Sequence, residues 1–533
     1  TPDGFAISRE VKRRSGRSFG RSRAGSGSRE PAERNYCGGS LAPALKHYDV
    51  IAFGTGSAMN IVSELLGHNP RIRVAVIENA PVGGICLTRG CIPSKMILYP
   101  AEIMSHIKRA GDFWIDVEVR GIDFAKIMEW AQGEVMGESR MIEENIRRDP
   151  RIDLYRTTGE FVGDYTVKVG DEVITGDKIL LCTGSRPLVP DIPGLEEAGY
   201  VTNENFFSMR KLPRRVAVIG GSYIGLEFGF FLSMMGSHVT IFDMLPRIAP
   251  GEEPEVSYLL ELDMSSHMDV VPGHRVVEVR RRGEAKVVAA EGTEDHDSIE
   301  VEVDEIVVAA GRRSNSDLTK PEKTGVKTDA NGWIVVNEYL ETTKPNIWAC
   351  GDALGRHMFK HVANYESQVV YYNAFRGQRV KADYHAVPHA IFVQPEVAAV
   401  GAREEDVRGK GGDYLVGYYM YKDTAKGLAM KDEHHFAKVI VEEGSERLLG
   451  SHIIGPYASS MIHEAIVLMN TRDQSLIPAY RSMHVHPAVN EVLERAMFSL
   501  APPDAWEDLK EHLREHAMEV RERTLRRLSS GKG

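Results

Sequence analysis

One local pattern occurs twice in this 533-residue chain: an apolar strand running into a glycine, a helical interval, and a second apolar strand ending in an acid. The first copy is Tyr48-Asp49-Val50-Ile51-Ala52-Phe53 into Gly54, followed by Val74–Glu78. The second runs from near Val216 into Gly220 and is followed by Val239–Asp243. Two strand–glycine–helix–strand units in one chain imply an internally duplicated α/β architecture of the dinucleotide-binding kind.

The glycines say what each unit would hold. In Gly54-Thr-Gly56-Ser-Ala-Met59, the first glycine permits the tight turn and the second lets a pyrophosphate approach the backbone at a helix N-terminus. Met59 stands at the third glycine position, so helix and strand are expected to pack more loosely there. Glu78 ends the next strand, 24 residues after Gly54, where a carboxylate can bind ribose hydroxyls. The second motif, Gly220-Gly-Ser222-Tyr223-Ile-Gly225, replaces the middle glycine by serine and continues to Glu227. Its strand-end acid, Asp243, would accept from a ribose 2′-OH and repel a 2′-phosphate, which favours NAD over NADP. Read alone, Asp243 is also an ordinary strand-end turn residue.

Composition narrows the function classes. Hydrophobic residues at 42% and charged residues at 26% are ordinary for a globular enzyme, and the length suggests three or four domains. A net charge of −11 argues against a nucleic-acid binder. No apolar run approaches the roughly 18–20 residues that cross a bilayer, so no membrane partner and a cytoplasmic location are expected. The five cysteines, Cys37, Cys86, Cys91, Cys182 and Cys350, are too few and too scattered for a secreted disulfide framework.

Two of them form the sharpest signal, Gly83-Gly84-Ile85-Cys86-Leu-Thr-Arg-Gly90-Cys91-Ile-Pro93-Ser94-Lys95. Thiols separated by four residues can close a small ring if the backbone brings their Cβ atoms to about 4 Å. Glycines before and between them supply that freedom. Pro93 favours a helix start, whose N-terminus stabilises a thiolate. A Cys-x4-Cys pair with no second cluster is poor zinc spacing, and no metal is expected. Near the other end, His484-Val-His486-Pro-Ala-Val-Asn-Glu491 offers an imidazole that a carboxylate can orient, as a general acid–base requires.

As a set, GGICLTRGCIPSK, CTGSRP, GGSYIGLEFG, AAGRRSN, CGDA and HVHPAVNE resemble the dihydrolipoamide dehydrogenase, glutathione reductase and mycothione reductase family, over about residues 48–498. The resemblance implies two Rossmann-like domains for FAD and NAD, a C-terminal α+β dimerisation domain, and a homodimer with shared active sites. It makes Cys86 the interchange thiol facing a dithiol or disulfide substrate and Cys91 the thiol facing the flavin. Lys95 and Glu227 resemble the ion pair beside the flavin, Tyr223 the aromatic gate of the nicotinamide pocket, and Asp352 the ligand of the FAD ribityl chain. Gly184 in CTGSRP and Gly311 in AAGRRSN are placed against the cofactors in the same way. His486 and Glu491 resemble an acid–base dyad contributed by the other subunit.

The tail lacks the cysteine pair of mercuric reductases and large thioredoxin reductases. HVANYESQVVYYN and the Gly54–Met59 stretch are closer to mycothione reductase, while Asp243 and the Ile-Pro-Ser-Lys after Cys91 are closer to dihydrolipoamide dehydrogenase, the preferred reading. Membership of a 2-oxoacid dehydrogenase complex would follow from it. An NADH oxidase or CoA-disulfide reductase typically works with one active cysteine, and a non-catalytic flavoprotein subunit would not need Cys86, Cys91, His486 and Glu491 together. The expected layout is a disordered leader over 1–47, an FAD-binding domain over 48–190 and 315–385, and an NAD-binding domain over 191–314. An interface domain over 386–500 and a charged helical tail over 501–533, expected to present a solvated face, complete it.

Overall fold

The computed structural model describes residues 45–294 and 296–530. The first copy of the repeated pattern builds a sheet whose parallel strands run in the order Ile152–Tyr155, Val74–Ile77, Lys46–Phe53, Glu172–Leu181, Ile347–Ala349. Lys46–Phe53 is in register with both neighbours, Ile51 facing Ala75 on one side and Ile179 on the other. Val50, Ile51, Ala52 and Phe53 are all buried, as a parallel strand covered on both faces requires. Two antiparallel strands, Thr166–Val169 and Gly159–Gly163, extend the sheet. Gly54 follows with φ +90°, and a Cβ there would stand 2.3 Å from the Cys182 carbonyl oxygen, so the turn into the helix Ala58–His68 needs glycine.

The second copy is a parallel sheet in the order Asp269–Pro272, His238–Asp243, Arg215–Ile219, Glu305–Val308. Its crossover helix, Tyr223–Met235, is buried at every residue from Gly225 onward. A three-stranded antiparallel sheet, His274–Arg282, Ala285–Gly292 and Ser298–Val303, is inserted before the last parallel strand. The chain leaves the first unit and returns to it through one short antiparallel pair, Ser185–Pro187 with Arg312–Ser314. Ile347–Ala349 then rejoins the first sheet beside Glu172–Leu181.

A six-stranded sheet begins at Pro388–Ile391, with Val397–Gly401, Leu448–Ile454, Phe436–Glu442, Tyr414–Met420 and Leu500–Ala501 in successive neighbouring positions. The helices Ala458–Met469 and Glu491–Phe498 pack on it through Met461, Ile462, Ala465, Val492, Leu493 and Ala496. The fold is α/β, with two Rossmann-like units and a C-terminal α+β unit. Among the described residues no helix is long and apolar enough to cross a membrane.

Two expectations need correction. The first strand begins at Lys46, because Lys46 and His47 already pair with Ile174 and Thr175 while their side chains stay exposed, so no apolar signal marks them. Residues 1–44 of the proposed leader lie outside the described residues. The tail helix Glu507–Ser529 does not simply present a solvated face: Leu513, Ala517, Thr524 and Leu528 are buried against the second unit. Arg521 makes two hydrogen bonds of 2.9 and 2.8 Å to Glu261, and Arg527 pairs with Asp269. The apolar stripe is one residue per turn wide, narrow enough to be lost among the charges in sequence.

One buried cluster crosses the units. Lys438, on the strand Phe436–Glu442, has no exposed side-chain surface and meets Glu253, Glu255 and Glu404 at 3.2, 2.6 and 2.8 Å. These three carboxylates are close enough together to suit a metal ion, but the ammonium occupies the position between them.

Candidate active site

Cys86 lies on the short helix Gly84–Arg89 and Cys91 opens the long helix Cys91–Lys108, two residues before the start that Pro93 suggested. Gly90 sits between them, where a Cβ would meet the Ile85 carbonyl at 2.8 Å and the Cys86 Cα at 3.3 Å. Any larger residue would push the two helices, and with them the two thiols, apart. Both sulfurs are free thiols facing one cleft. The hydrogen bond between them divides the pair: it raises Cys86, with burial adding to the effect, and lowers Cys91. Burial opposes the lowering at Cys91, while the Lys95 ammonium and the helix N-terminus assist it. In the reduced pair the negative charge therefore belongs on Cys91.

The same cleft is lined by Gly54, Gly56, Glu78, Gly184 and Asp352. Glu78 accepts from the Thr55 N–H at 3.0 Å and the Thr55 hydroxyl at 2.7 Å, and its other oxygen accepts from the Ala80 N–H at 2.9 Å. It thus braces the glycine loop from beneath. Asp352, in the turn Gly351–Leu354, accepts from the Ser185 hydroxyl at 2.6 Å. Gly56 leaves its side of the cleft open, since a Cβ there would meet nothing nearer than the Gly84 Cα at 3.9 Å. A dinucleotide pyrophosphate fits against such a loop.

Gly220, Tyr223, Gly225 and Asp243 gather at the corresponding point of the second unit. Asp243 accepts from the Gly221 N–H at 2.7 Å and from the Leu245 N–H at 2.8 Å, which fixes its carboxylate at the strand end. Burial raises its pKa and these two bonds oppose the rise. Gly225 closes the helix onto the strand, for its Cβ would fall 1.8 Å from the Gly220 carbonyl oxygen. Gly311, at φ +118°, stands at the start of the pair that links the two units.

Lys95 and Glu227 join the units directly, with Nζ 2.7 and 2.8 Å from the two carboxylate oxygens. Glu227 also accepts from the Phe392 N–H at 3.2 Å, and Lys95 stands 4.3 Å from the centre of the Phe392 ring. Tyr223 donates to Glu252 at 3.4 Å and lies edge-on to Phe359 and His389.

His486 and Glu491 form a pair, Nδ1 to Oε1 at 3.0 Å, and the Ala488 N–H holds the second carboxylate oxygen at 3.1 Å. The imidazole bond holds the Glu491 carboxyl below its usual range. The pair is not beside the dithiol of its own chain: His486 is 71% exposed and lines no part of the cleft, and Met483 and Val485 around it are also exposed. His484, by contrast, is held between Glu464 at 2.7 Å and Glu494 at 3.1 Å, a structural setting.

Several residues escaped the sequence reading. Arg312 donates to the Ser185 hydroxyl at 2.7 Å and to the Ser185 carbonyl at 2.8 Å, holding the partner of Asp352. Its position directly after Gly311 in AAGRRSN was the available signal. Lys360 lines the cleft and donates to Ser57 at 2.9 Å. His389 reaches Glu252 at 2.8 Å behind Tyr223. Neither of these two carries a local motif.

Residues 48–367 match the pyridine nucleotide-disulphide oxidoreductase family, and residues 387–497 match its dimerisation domain. Mycothione reductase of Mycobacterium tuberculosis is 31% identical over 467 residues, covering 86% of this chain and 100% of that protein. Dihydrolipoyl dehydrogenase of Chlamydia muridarum is 30% identical over 464 residues, covering 86% and 97%. The HOCl-induced flavoprotein disulfide reductase RclA of Escherichia coli superposes with a TM-score of 0.73 at 25% identity, over 85% of this chain and 99% of that one. With its duplicated dinucleotide units, its paired thiols in the first cleft and its C-terminal sheet, this chain belongs to the pyridine nucleotide-disulphide oxidoreductase family, whose members use FAD and a pyridine nucleotide.

Proposed function

We propose that this protein is a dihydrolipoamide dehydrogenase: it oxidises a dithiol through Cys86 and Cys91 and FAD and delivers the electrons to NAD. The observation that carries this reading is the dithiol at the cleft, Cys86 and Cys91 on adjoining helices that meet at Gly90, together with the Asp243 carboxylate fixed at the strand end of the second unit by the Gly221 and Leu245 N–H groups. Gly54 and Gly56 would hold the FAD pyrophosphate, Glu78 the ribose and Asp352 the ribityl chain. FAD bound there supplies the two-electron chemistry that connects a dithiol to a nicotinamide.

The chain's own part is thiol exchange and proton control. A substrate thiolate attacks Cys86 Sγ of the oxidised pair, the Cys86–Cys91 bond breaks, and Cys91 leaves as the thiolate that its surroundings favour. The substrate's second thiol then displaces Cys86 and closes the substrate disulfide. Its proton passes to Nε2 of His486 of the partner subunit, whose other nitrogen Glu491 holds. A reducing compartment such as the cytoplasm suits the cycle, and a 2-oxoacid dehydrogenase complex is the partner assembly that this substrate implies.

The mycothione reductase likeness, together with residues 361–373, favours a second reading, reduction of a low-molecular-weight disulfide. Turnover with lipoamide, glutathione disulfide and mycothiol disulfide, each with NADH and NADPH, separates the two. Lipoamide with NADH is expected to give the highest kcat/KM; a higher value for mycothiol disulfide overturns the proposal in favour of the second reading.

Two predictions follow from the dinucleotide sites. Purified protein is expected to be yellow and to carry one FAD per chain, measured by absorbance after release of the flavin. A folded, colourless protein that cannot be reconstituted would contradict the assignment of the cleft. NADH is expected to be preferred over NADPH, because a 2′-phosphate would meet the Asp243 carboxylate. Asp243→Ser should relax that preference, read as the ratio of the two kcat/KM values. A wild-type ratio favouring NADPH would refute this role for Asp243.

A further inference from the structure

Two more cysteines face each other at the floor of the same cleft. Cys182 follows the strand Glu172–Leu181 and Cys350 follows Ile347–Ala349, and these strands are parallel neighbours with Leu181 opposite Ala349. That register sets the two cysteines side by side, with Sγ atoms 3.2 Å apart. Adjacent strands lie about 4.8 Å apart, within the Cα separation of roughly 4.4–6.8 Å that a disulfide spans. Both residues line the cleft that holds Gly54 and Asp352. Cys350 is 1% exposed, whereas Cys182 keeps an open face. Small side chains alone would let a dinucleotide approach, and serine or alanine would serve that end. Paired sulfurs in register add a redox property that the catalytic reading leaves unused.

We propose that Cys182 and Cys350 are a second redox pair, separate from Cys86 and Cys91, which hydroperoxides oxidise to an intrachain disulfide that weakens FAD retention. The proposal rests on the cleft being the FAD site and not on which disulfide or dithiol the enzyme turns over. When FAD is off and the cleft is open, the Cys182 sulfur attacks one peroxide oxygen, the O–O bond breaks, and the departing hydroxide takes the thiol's proton as water, leaving a sulfenic acid. The Cys350 sulfur then attacks the sulfenic sulfur, and the hydroxyl leaves as a second water. Overall two thiols and one hydrogen peroxide give one disulfide and two waters: each sulfur loses one electron and each peroxide oxygen gains one. The hydrogen bond between Cys350 and Cys182, with burial adding to it, holds the Cys350 thiol well above its usual range, which makes it the second participant.

The effect on FAD follows from what Cys182 touches. Bond formation draws the sulfurs from 3.2 Å to about 2.05 Å and so pulls on the two strand ends. The Cys182 carbonyl oxygen already lies against the Gly54 turn, at 2.3 Å from where a Cβ would stand. A displacement there passes directly into the loop that cradles the pyrophosphate. Disulfide exchange with a small dithiol reverses the change.

The test treats the full-length flavoprotein with excess hydrogen peroxide, blocks remaining thiols with N-ethylmaleimide, and maps peptides by mass spectrometry. A peptide pair linked through Cys182 and Cys350, distinct in sequence from any Cys86–Cys91 link, is expected, and dithiothreitol should remove it. FAD affinity, measured by flavin fluorescence, should fall at least tenfold in the linked protein. Cys182→Ala protein, or Cys350→Ala should the first fold poorly, should show the same FAD affinity before and after peroxide, whatever its starting value, which excludes oxidation of Cys86 and Cys91 as the cause. Recovery of Cys182 as a sulfinic acid or maleimide adduct with Cys350 unlinked would overturn the proposal. Linked protein that retains FAD as tightly as the reduced form would overturn it equally.

Discussion

Cys86→Ser is expected to abolish disulfide turnover, a loss on the order of 10³-fold or more, as for removal of a covalent nucleophile. Oxidised FAD should remain bound, and a long-wavelength charge-transfer band from the Cys91 thiolate should persist. The serine hydroxyl can still donate to Cys91, the interaction that most lowers that thiol. Cys86→Ala removes this donor, so the Cys91 pKa should rise and the band should fade at a higher pH as the solution is acidified. Cys91→Ser should lose the band altogether while leaving a nucleophilic thiol at position 86. Absorbance titration of the three variants, alongside steady-state turnover, distinguishes the two sulfurs. Turnover by either serine variant at the wild-type rate would sink the assignment.

His486→Gln is expected to slow thiol exchange by about 10²–10⁴-fold, the usual worth of general acid–base catalysis. FAD content and electron transfer to an artificial acceptor should survive, since neither uses the imidazole. Glu491→Gln should cost less, because it loosens the orientation of the ring and leaves the base. The geometry motivates a stricter test. His486 is largely exposed on its own chain and apart from that chain's cleft, on the unit that matches the family's dimerisation domain. Mixing inactive Cys86→Ser chains with inactive His486→Gln chains under subunit exchange should therefore restore activity. A heterodimer would hold one intact Cys86–His486 site and one site damaged twice, and its activity should approach roughly half the wild-type value. Heterodimers that form without recovering activity would mean that each chain builds its own site.

Much of this protein was legible locally. The two strand–glycine turns, the thiols with Gly90 between them, and the Asp243 strand end all work through neighbours a few residues away or through a backbone conformation that only glycine permits. Such features leave a compact trace in the sequence. The His486–Glu491 pair is of the same kind, because five residues of chain are enough to bring Nδ1 to Oε1. The tail helix was misjudged for the converse reason: its narrow buried stripe depends on the groove it meets, and charge dominates the composition around that stripe.

What the sequence alone determined was the duplicated α/β plan, the thiol pair and the acids at the strand ends, since periodicity and turn chemistry act over short chain distances. What only the tertiary structure decided was how distant segments combine. Lys95 finds Glu227, Arg312 braces Ser185 against Asp352, and Lys438 sits among three carboxylates. The approach of Cys182 to Cys350, 168 positions later, depends on one strand returning to the first sheet in a particular register. Contacts of that range are set by strand order and packing, and no local pattern in either segment specifies them.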